Sequence, residues 1–249
     1  MTALLTLDNV SRRFGGLNAV DGVSFSVEKG EIVGLIGPNG AGKTTLINLI
    51  TGVHPATAGR VRFEDNDITR ARPYQIARLG IARTFQIVQP FPKMTVVDNV
   101  AAGALFCGHA RSVREAQHIA REHLTFTGLA DMAELPAASL TLARRKRLEL
   151  AKSLAMRPRL VMLDEVNAGL NQTEVGDALA IIRKIAERGV TIIIIEHLMK
   201  VVLSTSHRLV VLHHGQLIAQ GTPREVVKDQ RVIEAYLGAK YAAKPEAVH

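Results

Sequence analysis

Residues 37–44 read Gly37-Pro38-Asn39-Gly40-Ala41-Gly42-Lys43-Thr44, and they directly follow the largely apolar run of residues 31–36. Glycines at the first, fourth and sixth positions let the backbone turn its N–H groups toward an anion without Cβ clashes. The lysine then reaches the outer phosphates of a nucleotide, and the Thr44 hydroxyl is available to Mg²⁺. A helix predicted from Thr44 to about Thr51 directs its positive dipole end at the same anion. The stretch predicts a site for a nucleoside triphosphate, which also includes Thr45.

The composition is typical of a globular α/β protein. Of the 249 residues, 47% are hydrophobic, enough to fill a substantial core. No apolar stretch approaches the ~20 residues of a membrane-spanning helix, and the first residues lack a secretory signal pattern, so we expect a cytoplasmic chain. The single cysteine, Cys107, excludes an internal disulfide and is expected to be a small buried hydrophobe.

The chain is basic, with a formal net charge of +8. This charge is compatible with contact to nucleic acid, with contact to anionic lipid, or with a basic surface that faces only water. The densest basic run, residues 144–147, lies at a predicted helix start, and we interpret it as a mostly solvated helix face. Because only 4% of the residues are aromatic and none is Trp, base stacking on a single strand is disfavoured.

Hydrophobic patterning predicts an α/β layout with a parallel core. Strand-like runs occur at residues 4–7, 23–27, 31–36, 61–63, 160–163, 191–195 and 209–212. Between Gln86 and Pro158 the strand signals vanish and helical patterns replace them. We therefore predict a helical subdomain inserted into the α/β core.

Helix starts are marked by capping sequences. Ser112 with Glu115 three residues later predicts a helix that ends near Gly128. The same pattern in residues 222–225 predicts a helix over about residues 223–229. A third helix is predicted from Thr173, with Gly189 as its stop signal.

A pair of carboxylates follows a second apolar strand. Asp164 and Glu165 come directly after residues 160–163, and Asp164 is the expected Mg²⁺ partner. Glu165 is placed to polarise a water for attack on the γ-phosphate, a role typically worth about 10²–10⁴-fold in rate. Alone, such a pair is equally well explained as a solvated strand end, but the loop at residues 37–44 favours the catalytic interpretation.

With these motifs in this order, the chain resembles the ABC ATPase family over nearly its whole length. The resemblance implies that Phe14 stacks on adenine and that Gln86 senses both the metal and the γ-phosphate, as metal ligand and catalytic residue. It also implies that His197, after the strand at residues 191–195, contacts the γ-phosphate and steadies the attacking water. Residues 168–171 correspond to the D-loop, which crosses to a partner subunit. Taken singly, Phe14 would be interpreted as a core aromatic, Gln86 as a surface amide and His197 as a hydrogen-bonded polar residue.

One family motif is altered. The signature, normally Leu-Ser-Gly-Gly-Gln, is replaced here by Leu140, Thr141, Leu142, Ala143 and Arg144. Thr141 keeps a hydroxyl, and backbone N–H groups of the next helix can still face a phosphate. Ala143 adds a methyl group where close backbone approach is usual, and Arg144 replaces a neutral amide by a cation. Because modules of the family pack head to tail, these residues would act on the partner's ATP.

The resemblance implies a P-loop NTPase (RecA-like) α/β core with a mainly parallel sheet, an antiparallel N-terminal β portion and an inserted α-helical subdomain. We predict one nucleotide-binding domain with its core at residues 1–86 and 158–230, helical subdomain at 87–157 and tail at 231–249. Residues 12–20, 80–86 and 231–238 look like the ATPase that powers bacterial uptake of branched-chain amino acids. The implied cofactors are ATP and Mg²⁺.

The implied partners are a second ABC ATPase subunit, identical or related, membrane permease subunits and, indirectly, a periplasmic or extracellular solute-binding protein. No nucleic acid is expected. The chain would sit peripherally on the cytoplasmic face of the bacterial inner (plasma) membrane.

A permease helix would dock on Val88, Phe91, Pro92 and Met94, unless this loop packs on its own subdomain. Two further functions remain open at this point. One is an ABC ATPase for another cargo, such as urea or an exported lipid. The other is a non-transport ABC protein acting on DNA or ribosomes, although such proteins usually carry coiled-coil insertions or two modules in one chain.

Overall fold

The computed structural model describes residues 3–85, 88–107, 110–196 and 198–237. The chain forms two compact units. The first is drawn from residues 1–71 and 197–249, and the second from residues 72–196. Among the described residues, no helix combines the length and the apolar character needed to cross a membrane.

The first unit begins with an antiparallel sheet. Its strand β1 (Ala3–Phe14) pairs on one side with β2 (Leu17–Glu28) and on the other with β4 (Ala58–Phe63), which pairs with the short β5 (Asn66–Asp67). Apolar residues of β1, such as Leu5, Leu7 and Val10, are buried and so contribute to the core. The predicted antiparallel N-terminal β portion is confirmed.

A second ladder in the first unit contains the strand before the glycine-rich loop. This strand, β3 (Ile32–Ile36), pairs in parallel with β9 (Arg208–His213), and β9 pairs antiparallel with β10 (Gln216–Gly221). All five residues of β3 are buried, which explains its continuous apolar character. The helices of this unit are α1 (Lys43–Ile50), α7 (Met199–Thr205), α8 (Pro223–Val226) and α9 (Gln230–Leu237).

The second unit contains three parallel strands. Strand β7 (Leu160–Asp164) lies between β6 (Ile81–Arg83) and β8 (Thr191–Ile195), and every residue of β7 and β8 is buried. The β-branched run of β8 suits such a central position. Two helices, α2 (Pro73–Arg78) and α6 (Gln172–Glu187), belong to the same α/β part. Because β7 is central and parallel, its carboxyl end delivers Asp164 to one edge of this ladder.

Three helices of the second unit share a hydrophobic core of their own. They are α3 (Val96–Phe106), α4 (Val113–Thr127) and α5 (Leu142–Ala155), and buried apolar residues from all three belong to one cluster. Helix α4 begins and ends as predicted, with the Ser112 hydroxyl accepting from the Glu115 N–H and Gly128 in the left-handed conformation. The Glu115 carboxylate, however, accepts from the N–H of Arg111 rather than that of Ser112. The carboxylate of the expected capping box thus bonds one residue before the N-cap, at Arg111 instead of Ser112.

Several elements differ from the sequence-based expectations. The capping box of Thr222 and Glu225 is confirmed, but α8 ends at Val226 instead of Asp229. A further helix, α9, begins at Gln230 and extends to Leu237, so it overlaps the stretch 231–249 that we assigned to a tail. Helix α6 is capped by Asn171 and starts at Gln172, one residue before the predicted Thr173. The expectation that Cys107 is buried is wrong, because it is half-buried at the end of α3.

Candidate nucleotide-binding site

The loop between β3 and α1 has the backbone conformation that its glycines permit. Gly40 and Gly42 have φ angles of +78° and +101°, in the left-handed region. A Cβ atom on Gly42 would lie 2.5 Å from the carbonyl oxygen of Ala19, so a side chain does not fit there. The loop is also tied to the β9–β10 turn, since the Gly215 N–H donates to the Ala41 carbonyl at 3.0 Å. The loop is therefore a preformed, glycine-dependent cradle.

Lys43 lies at the base of this cradle. Only 7% of the residue is exposed, and its Nζ donates to the carbonyl oxygens of Gly37 at 2.6 Å and Pro38 at 3.0 Å. Helix α1 starts with no side-chain cap, and its first turn contains no acidic residue, so its N–H groups and dipole favour an anion. Thr44 is exposed in this first turn. Lysine, helix start and loop together form an anion site that suits phosphates.

The aromatic residue Phe14 lies at the end of β1 and is 40% exposed. The Arg12 guanidinium lies 4.5 Å from its ring centroid, and the His54 ring meets it edge-on at 5.4 Å. Arg12 also donates to the Pro55 carbonyl at 2.9 Å, which orients it against the ring. Neither Arg12 nor His54 has a sequence pattern that predicts its contact with Phe14. The accessible part of the ring is compatible with stacking on a base.

In the second unit, Asp164 is held by two neighbours at the end of β7. Arg83 Nη2 donates to its Oδ2 at 2.7 Å, and its N–H donates to the Thr84 hydroxyl at 3.1 Å. Carboxylate and hydroxyl oxygens are the ligand types that Mg²⁺ prefers, so Asp164 and Thr44 fit this ion chemically. The contact of Arg83 with Asp164 was not predicted, since an arginine in a three-residue strand gives no recognisable sequence signal.

The following residue, Glu165, has an unusual backbone. Its φ angle is +50°, which is uncommon for a residue with a side chain. Its N–H donates to the Ile195 carbonyl at 2.9 Å, and its own carbonyl accepts from Lys146 Nζ at 2.9 Å. The interpretation of residues 144–147 as a solvated helix face is therefore wrong for Lys146, only 7% of which is exposed.

A buried carboxylate, Glu196, lies at the end of β8. Its Oε1 accepts from both the backbone N–H and the side-chain amide of Asn167, each at 2.9 Å. Burial raises the pKa of Glu196, while these hydrogen bonds and the Lys146 charge oppose part of the rise. No role was predicted for Glu196 or Asn167. The sequence feature that points to this cluster is the position of Glu196 directly after a buried strand and before His197.

The altered signature forms the start of α5. The Thr141 hydroxyl is its N-cap and accepts from the Arg144 N–H at 3.5 Å. Leu142 packs toward the D-loop residue Gly169, since a Cβ there would lie 3.0 Å from Leu142 Cδ2. Ala143 lines a small cavity together with side chains of the D-loop segment and α6. The residues that replace the signature glycines thus contact their own chain.

The loop before α3 exposes the residues predicted to dock a permease helix. Phe91, Pro92 and Met94 are exposed, whereas Val88 is half-buried. The buried Asn99 side chain fixes the loop, because it accepts from the Phe91 N–H at 2.8 Å and donates to the Thr95 carbonyl at 2.9 Å. The loop therefore presents three exposed apolar side chains, and their partner stays a prediction. Two other predicted site residues, Gln86 and His197, lie outside the described residues.

Comparison with protein families explains the combination of loop, carboxylates and helical insert. The family model described as "ABC transporter" matches residues 20–168. The chain therefore belongs to the ABC transporter family, as an ATP-binding subunit. A second model, described as "Branched-chain amino acid ATP-binding cassette transporter", matches residues 216–242.

Individual proteins are similar over nearly the full length. The high-affinity branched-chain amino acid transport ATP-binding protein BraF of Pseudomonas aeruginosa is 41% identical, across 94% of this chain and 98% of that protein. LivG of Escherichia coli, with the same description, is 39% identical across the same shares of the two chains. Within its family, the chain thus groups with the ATP-binding proteins of branched-chain amino acid transport.

Solved structures agree with the fold assignment. The ADP conformation of an ATP-binding cassette from an ABC transporter is 34% identical, with a TM-score of 0.87 over 96% of this chain and all of that one. A nucleotide-free cassette, also 34% identical, has a TM-score of 0.86. The predicted α/β cassette fold, with its antiparallel portion and helical insert, is confirmed.

Proposed function

We propose that this chain binds Mg-ATP in the loop at residues 37–45 and hydrolyses it to power uptake of branched-chain amino acids. The single observation that carries the proposal is the preformed phosphate cradle, with Lys43 buried at its base. Full-length similarity to branched-chain amino acid transport proteins supports the cargo. The cargo itself would contact other subunits.

Nucleotide binding is assigned to the first unit. In this proposal the N–H groups of the loop surround the β-phosphate, and the Lys43 ammonium moves from the Gly37 and Pro38 carbonyls to the outer phosphates. Phe14 stacks on adenine, with Arg12 holding the ring in place. The phosphate contacts supply most of the orientation, because backbone donors fixed in space bind an anion without further ordering.

Metal binding is assigned to oxygen donors from both sequence motifs. The Thr44 hydroxyl, the Asp164 carboxylate and Gln86 would hold Mg²⁺ together with the phosphates. When bound, Mg²⁺ neutralises charge on the β- and γ-phosphate oxygens. In the described structure Asp164 Oδ2 is paired with Arg83. Arg83 thereby fixes the direction in which the carboxylate presents its other oxygen.

Hydrolysis is assigned to Glu165. Its carboxylate would accept a proton from the attacking water while the water oxygen bonds to the γ-phosphorus. The bond from that phosphorus to the bridging oxygen would break, and the products would be ADP and inorganic phosphate. His197 would orient the water and contact the γ-phosphate, while Gln86 would report its presence to the helical segment. The role of Glu165 rests on its position directly after the strand that ends in Asp164, and the roles of His197 and Gln86 are those that the family resemblance implies.

The assembly is proposed to contain two cassettes. The altered signature of one subunit, Leu140 to Arg144, would face the ATP held by its partner, which is either a second copy or a related chain. Closure of the two cassettes on ATP would move a permease docked on residues 88–94, and hydrolysis would reset them. A solute-binding protein would deliver the amino acid outside the cell. The cassette would therefore act peripherally at the cytoplasmic face of the membrane.

The proposal is tested by titrating the purified chain with Mg-ATP in a calorimeter and by measuring phosphate release. We expect Glu165→Gln to retain ATP binding while hydrolysis falls by about 10²–10⁴-fold. The control is Glu187→Gln, which removes an exposed carboxylate at the end of α6. No heat of Mg-ATP binding by the wild-type chain would refute the proposal.

The cargo is tested in a reconstituted assembly. We expect leucine with its binding protein to stimulate ATP hydrolysis in proteoliposomes that contain the permease subunits. Stimulation by urea or by a lipid, with none from leucine, would show that the transporter carries another cargo. Stimulation by nucleic acid with none from the membrane subunits would place the chain among non-transport ABC proteins.

A further inference from the structure

Lys146 is the buried member of the basic run at residues 144–147, in which Arg145 and Arg147 are half-buried. Arg144, two residues earlier, is exposed, whereas only 7% of Lys146 is accessible to solvent. An ammonium group loses strong hydration on burial, and such groups persist in proteins only where partners replace the lost water. The contacts of the Lys146 ammonium therefore indicate the role of this side chain.

One partner is the backbone of Glu165. Lys146 Nζ donates to the Glu165 carbonyl oxygen at 2.9 Å. Two carboxylates, those of Glu196 and Glu165, add favourable charge interactions, although burial still lowers the pKa of the lysine. Glu196 is in turn fixed by the two hydrogen bonds from Asn167. The lysine thus lies inside a network around the turn that follows β7.

The backbone at Glu165 is one that needs outside support. A φ angle of +50° is sparsely populated by residues with a Cβ atom, and such conformations persist where surrounding contacts determine them. Here the Glu165 N–H donates to the Ile195 carbonyl, and the Glu165 carbonyl accepts from the Ala168 N–H at 3.2 Å as well as from Lys146. Lys146 is the charged member of this set, and charged donors make the stronger hydrogen bonds.

The same lysine stands at the start of α5, where the altered signature lies. Leu142 packs toward Gly169 in the D-loop, and Ala143 and Lys146 line a common cavity with Val166 and Leu170. The start of α5 and the turn at residues 165–170 are therefore packed against each other within one chain. A displacement of the first is expected to displace the second, because packed side chains transmit strain.

We propose that Lys146 is a positioning residue that fixes the backbone of Glu165 and couples it to the altered signature of the same chain. The inference rests on the proposed function, in which Glu165 serves the chain's own ATP and the signature serves the partner's ATP. Lys146 would then link the two ATP sites of a dimer through a single buried side chain. It is not assigned a contact with the nucleotide.

The first test separates catalysis from binding. Lys146→Met removes the donor to the Glu165 carbonyl, and we expect kcat for ATP hydrolysis to fall by about 10- to 100-fold, as for small displacements of a catalytic group. KM and the Kd for Mg-ATP should stay at their wild-type values. Lys146→Gln, uncharged but polar, serves if the Met variant does not fold, and the same loss is expected. The matched control is Lys152→Met on the same helix, since that lysine pairs with Glu149 at 2.7 Å.

The second test asks whether Lys146 acts through Glu165 or merely shapes the signature. In a Glu165→Gln background, ATP-dependent dimerisation is followed by size-exclusion chromatography with light scattering. We expect the added Lys146→Met change to leave dimerisation intact. Loss of the dimer would overturn the inference in favour of a structural role. A Lys146→Met variant with both weaker ATP affinity and a lower kcat would do the same. An unchanged kcat would overturn it as well. A wild-type chain that neither binds nor hydrolyses ATP would refute the proposed function instead.

Discussion

Arg83 and Asp164 form an almost fully buried ion pair, with Arg83 Nη2 2.7 Å from Asp164 Oδ2 and side-chain exposures of 10% and 6%. Both residues lie at the ends of neighbouring parallel strands, β6 and β7. The proposed metal ligand therefore has a permanent cation beside it. Removal of that cation leaves a carboxylate that is both desolvated and without its counter-charge.

We expect Arg83→Met to lower the free energy of unfolding by about 3–5 kcal/mol, the typical cost of breaking a buried pair. Mg²⁺ should recover part of the loss, because it replaces the missing positive charge at Asp164. Urea unfolding with and without Mg²⁺ measures both effects. The control is Arg121→Met, which breaks an exposed pair with Glu134 (2.6 Å) and should cost about 0–1 kcal/mol. Equal losses in the two variants would contradict the prediction.

Lys43→Met should weaken ATP binding by about 10- to 100-fold, since a hydrogen bond to a charged group contributes about 1.5–3 kcal/mol. The physical reason is that the Lys43 ammonium lies at the base of the loop that is proposed to hold the phosphates. Calorimetric titration measures the change. Lys29→Met is the matched control, because that lysine is exposed and only loosely paired with Glu64 at 3.5 Å. Comparable weakening in both variants would exclude Lys43 as a phosphate ligand.

The buried carboxyl of Glu196 predicts a pH dependence of stability. Burial raises its pKa above the ordinary value of 4.5, so the fold favours the neutral form. The stabilisation is complete below the unfolded pKa and is lost as pH rises through the folded pKa. Glu196→Gln stays neutral at every pH, and its amide oxygen can still accept from Asn167. Its stability relative to wild type should therefore increase as pH rises from acidic to neutral values.

Urea midpoints of wild type and Glu196→Gln across that pH range provide the measurement. Glu187→Gln, at an exposed position, should show no such trend. A stability difference that shrinks with rising pH would mean that the folded chain favours the charged carboxylate.

Ala143→Gly should change ATP turnover without abolishing ATP binding. The residue lies in the first turn of α5 and lines the cavity near Val166 and Leu170, remote in sequence from the phosphate loop. Glycine also costs about 1 kcal/mol of helix stability relative to alanine. Kd, kcat and the unfolding midpoint are measured together, with Ala186→Gly on α6 as the control for the helix effect. A collapse of ATP affinity would be inconsistent with a role confined to the partner's site.

Much of the fold could be predicted because local signals were strong. The buried strand at residues 191–195 was located to the residue, since five β-branched residues in a row suit a central parallel strand. The Ser112 and Thr222 caps marked helix starts through side-chain chemistry that operates within three residues. The glycine-rich loop could also be predicted from sequence. Its positive φ angles and close contacts require glycine at fixed positions, which leaves a recognisable spacing.

The residues that escaped prediction depend on distant partners. Strand β6 has only three residues, and the apolar residues of β10 form one short run between two glutamines instead of alternating, so neither strand has a clear periodic signal. Arg83 meets Asp164 across 81 positions of sequence, and Lys146 meets Glu165 across 19. A basic run looks the same in sequence whether or not one of its members turns inward. The buried ionic contacts of the second unit therefore became visible only in three dimensions.

The pairing of β3 with β9 has a consequence for synthesis on the ribosome. Ile32 and His207, joined by hydrogen bonds beside this ladder, are 175 residues apart. The second unit is continuous in sequence, so its contacts can form once residues 72–196 have been translated, whereas this edge of β3 stays uncovered until β9 has been made. Nascent chains halted before Arg208 would expose that apolar edge and are expected to aggregate or to require chaperones.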